Sequence, residues 1–332
     1  HGFGLGVATK NSLGEVLEVF YPTPVSNISG DLAQAVQGVN GELDTAALNE
    51  LANAFQKVGA DHLAATAHAL TQSSRPVVAA CMTENTAPTS VEEAYLKLHM
   101  LSHRLVQPHG TSLDGLFPLL NNIAWTDKGA IDLRELPQRQ LDARLRGEVL
   151  EVSSVDKFPK MTNYVVPTGV RIAHTARVRL GAYLGEGTTV MHEGFINFNA
   201  GTEGPGMVEG RISAGVWVGA GSDLGGGCST MGTLSGGGNI IISVGKECLI
   251  GANAGLGIPL GDRCTIEAGL FITAGTKVTI LDGARKPVET VSAKDLAGRS
   301  DLLFRRNSTS GAVECLTNRS AIELNETLHA NN

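Results

Sequence analysis

From about residue 160 onward, aliphatic side chains recur at every sixth position. Val166, Ile172, Val178, Leu184, Val190, Ile196 and Val208 lie on one such lattice, which only Thr202 interrupts. The lattice slips phase and resumes at Ile212, Val218 and Leu224, then at Val244, Ile250 and Leu256, and finally at Leu260, Ile266, Ile272 and Val278. This is neither the 3.6-residue period of a helix nor the alternation of a half-buried strand. A sandwich of short strands would alternate and show turn signals every 8–12 residues. The six-residue period predicts a parallel β-helix, in which three short strands make one triangular coil and successive coils stack about 4.8 Å apart. Aliphatic lattice residues fill its narrow core, and each slip marks an insertion or a tightened corner. Glycine follows a lattice residue at 185, 219, 225, 245, 251, 257 and 261, where a corner needs either a positive φ or a close backbone approach. The pattern stops near residue 281. Residues 302–308 and a short helical stretch at 322–329 are predicted to cap the last coil, whose strand edges would otherwise stay unpaired.

The first 150 residues have a different pattern. An alternating run predicts a strand over residues 16–21, and alanine- and leucine-rich stretches predict helices over 46–70 and 94–106. Ser90 and Glu93 have capping-box spacing ahead of the second helix. The expected division is an α/β unit over 1–155, a β-helix over 160–281 and a capping segment over 282–332. His62, His68, His99 and His103 fall at helical spacings, but no HExxH arrangement accompanies them. They are read as solvated helix faces.

Composition narrows the function. A net charge of −7 gives a field that repels nucleic acid and anionic membrane, so any anionic ligand needs a local basic cluster. Aromatic residues make up only 5% of the chain, which suits a thin core. The five cysteines are scattered and form no CxxC pair, which points to a reducing cytoplasm rather than a disulfide framework or zinc site. No run approaches the roughly 18 apolar residues of a membrane span, and no basic region leads into an apolar leader.

Two departures from the repeat carry the candidate chemistry. Residues 190–211 hold three carboxylates, Glu193, Glu203 and Glu209, with His192 and Arg211. Residues 222–239 are so rich in glycine that backbone amides can approach a ligand closely. The strings MHEGFINFNAGT, MVEGR and GGGCSTMGTLSGGG, with GANAGLGIPLGD and the terminal LLFRRNS, closely resemble the long-form tetrahydrodipicolinate N-succinyltransferases of pseudomonads and actinobacteria. The likeness runs from about residue 95 to the C-terminus.

That resemblance implies a left-handed coil, an exception to the right-handed crossover rule, and a homotrimer with active sites between neighbouring coils. It implies succinyl-CoA as donor and the amine of tetrahydrodipicolinate, as acyclic L-2-amino-6-oxopimelate, as acceptor. Glu209 would be the catalytic carboxylate, acting as base or through an acyl anhydride. Arg211 would contact the donor, together with Gly226, Ser229, Ala252, Glu267, Ala268 and Gly275. Arg305, Arg306, Asn307 and Ser308 match a terminal segment that also touches it. Glu193 matches a Mg²⁺ ligand near the trimer axis in some relatives, whose aspartate partner is Ala176 here. Where relatives often carry lysine, this chain has Ser292, so a phosphate contact is lost or comes from Lys294. His192 is the alternative base, and Cys228 is read as a packing residue. The competing functions are acetyl transfer by the same fold, zinc chemistry for which only His174 and His192 lie in the coil, and a non-catalytic scaffold.

Overall fold

The lattice residues turn inward. In the computed structural model, which describes residues 1–232 and 240–317, Val178, Leu184, Val190, Ile196, Ile212, Ile250, Leu256, Ile266, Ile272 and Val278 are all 0% exposed. They line a prism with three parallel faces. The first face stacks Arg171–Ile172, Thr188–Val190, Gly206–Val208, Asp223–Leu224, Leu249–Ile250, Thr265–Ile266 and Leu302–Arg306. The second stacks Phe195–Ile196, Arg211–Ile212, Ser229–Thr230, Gly255–Gly257 and Phe271–Thr273, and the third Ala182–Leu184, Ala200–Thr202, Trp217–Val218 and Ser243–Val244. Thr202, which breaks the aliphatic lattice, also points inward; its hydroxyl lies 2.6 Å from that of Thr188, whose own hydroxyl reaches Gly185 O at 2.7 Å. A buried hydroxyl with a partner costs far less than an orphan, so the register survives.

The corners explain the glycines. None of the lattice-following glycines has a positive φ; they serve close approach instead. A β-carbon on Gly225 would sit 2.8 Å from Ala252 N, and one on Gly251 2.5 Å from Ala268 N. The left-handed residues fall two positions later, at Gly227, Asn253 and Gly269 on that same corner, with φ of 72°, 55° and 74°. After the strand Lys277–Leu281 the chain makes an antiparallel hairpin with Pro287–Ser292. It then rejoins the first face, where Phe304 pairs with Ile266, and Val313–Thr317 folds back beside Leu302–Arg306. The coil's first face therefore extends one step beyond the expected end at 281. The expected helix at 322–329 lies outside the described residues, as do residues 233–239 of the glycine-rich loop.

The compact unit before the coil runs His1–Val165, further than the expected 155, because Phe158 and Met161 are buried and Tyr164 Oη donates to Glu18 Oε2 at 2.6 Å. Val166, the first supposed lattice residue, is 65% exposed. In this unit, the strand Gly2–Lys10 pairs with Val16–Phe20, Val25–Ser26 and Val77–Met82. Phe3 and Leu5 pack into the same core as helices Thr45–Lys57 and Asp61–Leu70. These two helices replace the single expected one, and Gly59 at φ 72° separates them. Gly2 and Gly4 leave room for Met100 and Leu96 of the helix Val91–Ser102, where Ser90 accepts from Glu93 N at 3.3 Å. The Glu93 carboxylate turns to Thr89 N at 2.7 Å rather than completing the box. A three-stranded sheet, Gly129–Asp132, Ile123–Thr126 and Val152–Asp156, completes the unit.

The histidine reading needs correction at two positions, since His103 is half-buried and its burial lowers its pKa. His62 and His68 are exposed, but His99 is fully buried. Its Nδ1 lies 2.7 Å from Tyr95 O, and its Nε2 accepts from Tyr21 N at 3.2 Å. This pattern requires the neutral Nδ1–H tautomer, and burial drives its pKa down to about 3. The helix turns inward here because it packs on the strand Val16–Phe20, and spacing alone does not report which face that is.

Candidate active site

The lattice slip at residue 208 shapes the site. Val190 to Ile196 and Leu224 to Thr230 each pass from the first face to the second in six residues, whereas Val208 to Ile212 takes four. Both ends keep register, since Val208 pairs with Leu224 and Arg211 with Ser229. A corner with two fewer residues cannot reach out as far, so Glu209 sits in a notch between the corner at His192 and Glu193 and the corner at Gly226 and Gly227. Glu209 N donates to Leu224 O at 2.8 Å, and its carbonyl accepts from Gly227 N at 3.1 Å, so the backbone on both sides is pinned. A β-carbon on Gly226 would lie 3.6 Å from Glu209 Oε2. The carboxylate accepts no hydrogen bond and forms no ion pair among the described residues.

Behind this corner lies Cys228, 1% exposed, where a β-carbon on Gly210 would meet its Sγ at 2.3 Å. Burial, then the nearby Glu209 charge, pushes its thiol up to about 12. Such a thiol is no nucleophile at neutral pH, and the packing reading stands. On the adjoining face Arg211 Nε donates to Ser229 Oγ at 3.2 Å. Arg211 is exposed and pairs with no carboxylate among the described residues.

From Glu209 the corner continues as a column. Gly225 N donates to Ile250 O, Gly251 N to Ile266 O and Glu267 N to Phe304 O at 2.7, 2.8 and 2.9 Å. One corner thus brings together Glu209, Gly226, Ala252, Glu267, Ala268, Arg305 and Arg306. The N–H groups of Gly226, Ala252 and Ala268 donate to nothing among the described residues. Gly275 does not join them; it follows the strand Phe271–Thr273 at the next corner. Asn307 and Ser308 follow directly on Arg306. Three side chains here are already engaged: Arg305 and Asn307 both bind Glu314, and Arg306 Nη1 donates to Gly311 O at 3.0 Å. Near Ser292 an ammonium is present after all, since Lys277 Nζ lies 3.0 Å from Ser292 Oγ. Neither Glu314 nor Lys277 carries a sequence signal, because each acts through an antiparallel pairing of the tail.

His192 and Glu193 are arranged differently. Glu193 Oε1 accepts from His192 Nδ1 at 2.7 Å and its Oε2 from Arg177 Nη2 at 3.0 Å. The His192 hydrogen bond, then the Arg177 charge, holds its carboxyl below the usual range. The residues present do not fit the implied Mg²⁺: both oxygens are taken, a guanidinium stands where a cation would approach, and Ala176 supplies no ligand.

Stacked hexapeptide coils, a recessed carboxylate and a column of open amides define an acyltransferase of the hexapeptide-repeat class. Comparison with known families narrows this. Residues 120–160 match the family described as "Tetrahydrodipicolinate N-succinyltransferase middle", and residues 241–274 the "Hexapeptide repeat of succinyl-transferase", which carries the left-handed sense of the coil. The 2,3,4,5-tetrahydropyridine-2,6-dicarboxylate N-succinyltransferase of Pseudomonas putida is 65% identical over 98% of this chain and 97% of its own. That of Vibrio cholerae is 58% identical over 99% and 98%. A crystal structure of a Campylobacter jejuni protein titled as a tetrahydropyridine-2-carboxylate N-succinyltransferase superposes with a TM-score of 0.87 at 31% identity, covering 97% of this chain and 93% of that one. The chain belongs to the tetrahydrodipicolinate N-succinyltransferase family.

Proposed function

We propose that the chain moves succinyl from succinyl-CoA to the amine of tetrahydrodipicolinate, in its acyclic L-2-amino-6-oxopimelate form, within diaminopimelate and lysine biosynthesis, and that Glu209 is the catalytic base. The observation that carries this is the uncommitted Glu209 carboxylate in the notch beside Gly226. The amine lone pair attacks the thioester carbonyl and its proton passes to Glu209. The C–S bond then breaks, and the departing thiolate takes that proton to leave as CoA. Open amides of the glycine corner offer donors to the oxyanion.

Arg211 suits the distal carboxylate of the succinyl group, because it faces Ser229 with its guanidinium otherwise free of carboxylate partners. The donor's long arm runs along the column toward Arg306 and Ser308. Four coil steps of about 4.8 Å separate Val208 from Phe304, about 19 Å in all, a length that calls for an extended thioester.

An outward corner cannot enclose a ligand as binding pockets do: Arg211, Ala252 and Ala268 are all exposed. We therefore place the opposite wall on a second copy within a homotrimer, in the cytoplasm. Among the described residues no helix is long and apolar enough to cross a membrane. Sedimentation equilibrium showing a fully active monomer would remove that wall, and equal turnover of acetyl-CoA would remove the role given to Arg211.

The decisive experiment is Glu209→Gln. The amide is nearly isosteric but takes no proton, so kcat falls about 10²-fold or more, while calorimetry shows unchanged succinyl-CoA affinity. Near-normal turnover in this variant would reject Glu209 as the base. Single-turnover quench without amine tests the anhydride route, which predicts a burst of CoA stoichiometric with enzyme, above succinyl-CoA hydrolysis and absent from Glu209→Gln.

A further inference from the structure

The tail segment assigned to the donor is held by a residue that has no counterpart in the sequence reading. Glu314 lies on the strand Val313–Thr317, directly opposite Arg305, and is only 7% exposed. Its Oε2 accepts from Arg305 Nε at 2.9 Å and Nη2 at 2.8 Å, and its Oε1 from Asn307 Nδ2 at 2.8 Å. Asn307 in turn organises the turn that follows. Its Oδ1 accepts from the backbone N of Thr309 and Ser310, each at 3.0 Å, and its own N and O bond to Ala312 and Gly311, each at 2.8 Å. The same segment is tied to the Glu209 corner, because Arg306 N donates to Glu267 Oε2 at 2.8 Å.

A buried carboxylate paired with a half-buried guanidinium adds little to stability compared with apolar residues of the same volume. What such a pair supplies is direction. Glu314 engages the Arg305 fork and the Asn307 amide, and leaves Arg306, whose Nη1 donates to Gly311 O at 3.0 Å, and Ser308 exposed at the end of the column.

We propose that Glu314 is a positioning residue for the acyl donor: through Arg305 and Asn307 it fixes the turn that presents Arg306 and Ser308 to the nucleotide end of succinyl-CoA. This rests on the reading that the column from Glu209 to Arg306 holds the donor. The roles of the neighbouring residues follow from this proposal. Arg305 and Asn307 are struts, and the contacts to the donor come from their neighbours and from backbone amides. Preorganising a binding segment lowers the ordering cost of the complex, so loss of Glu314 affects the part of the donor that reaches this segment and no other.

The test compares two donors on the full-length enzyme: succinyl-CoA, and succinyl-N-acetylcysteamine, which keeps the thioester and lacks the nucleotide. In Glu314→Gln the KM for succinyl-CoA rises about tenfold, the scale of a lost charge-assisted contact. kcat, the KM for the amine and the KM for the short thioester stay within about twofold. Glu314→Asp, which keeps the charge, recovers most of the effect. If Glu314→Gln fails to fold by circular dichroism, Asn307→Ala carries the same selective rise.

An equal loss on both thioesters means a structural role and overturns the proposal, as does a KM that falls because the freed Arg305 binds phosphate itself. The double variant Arg306→Ala with Ser308→Ala separates the two levels of the argument. If it leaves the KM for succinyl-CoA unchanged, the donor does not lie on this column and the underlying reading falls. If it raises that KM while Glu314→Gln does not, the reading stands and Glu314 loses its role.

Discussion

Two neighbouring corners of the coil each carry a glutamate, and only one of the two carboxylates lacks a partner among the described residues. The six-residue corner at Glu193 extends outward, and its carboxylate is bound by His192 and Arg177. The four-residue corner at Glu209 is recessed, with the Cys228 thiol behind it and no side-chain partner among the described residues. Both positions are carboxylates on a glycine-rich turn of the same chain. What separates them is corner length, together with the residues that the adjacent coil brings alongside. On the reading proposed for Glu209, the break in the repeat leaves a carboxylate without a partner, whereas at Glu193 the unbroken repeat pairs the charge with its own neighbours.

The strongest test of this contrast is to abolish it. Inserting two glycines between Glu209 and Gly210 restores a six-residue corner and moves the carboxylate out of the notch. A displacement of about 1 Å in a catalytic group can cost about 10²-fold, so turnover is expected to drop by at least that much. The lattice residues on either side are untouched, and a thermal melt close to wild type would show that the coil persists. Retained activity would mean that the recess has no role.

A second test sharpens the contrast from the other side. Glu193→Gln removes a carboxylate of the same kind one coil away and is expected to leave kcat within about twofold, against the loss of about 10²-fold for Glu209→Gln. A comparable loss for both would show that the site spans the two corners, and would bring His192 back as a candidate base.

The smallest effect is on stability. The Glu193 carboxyl titrates lower in the folded chain than its ordinary 4.5, so it contributes stability that is present above that value and lost as pH falls through the lower folded pKa. The group is fully exposed, so the effect is slight and screened by salt. Urea midpoints between pH 5 and pH 3 should fall less steeply for Glu193→Gln than for wild type. A parallel decline would remove the ion pair from the account.

Sequence by itself determined the coil and which of its residues turn inward. The inward period is a local property, repeated at each strand, so Val178, Leu184 and Ile250 could be placed in the core without knowing which coil stacks on which. The shortened corner at Glu209 was legible as a phase slip for the same reason. Errors came where local pattern had to stand for a distant contact. Val166 kept the six-residue spacing but is 65% exposed, and His99 kept helical spacing while facing a strand it meets only through the fold. The partner of Arg305 and Asn307 was likewise invisible, since Glu314 holds both side chains from the facing strand. Tertiary structure alone decided these points, because hydrogen-bond partners and burial are set by which strands lie side by side, and a side chain's spacing along its own strand carries no record of what stands across from it.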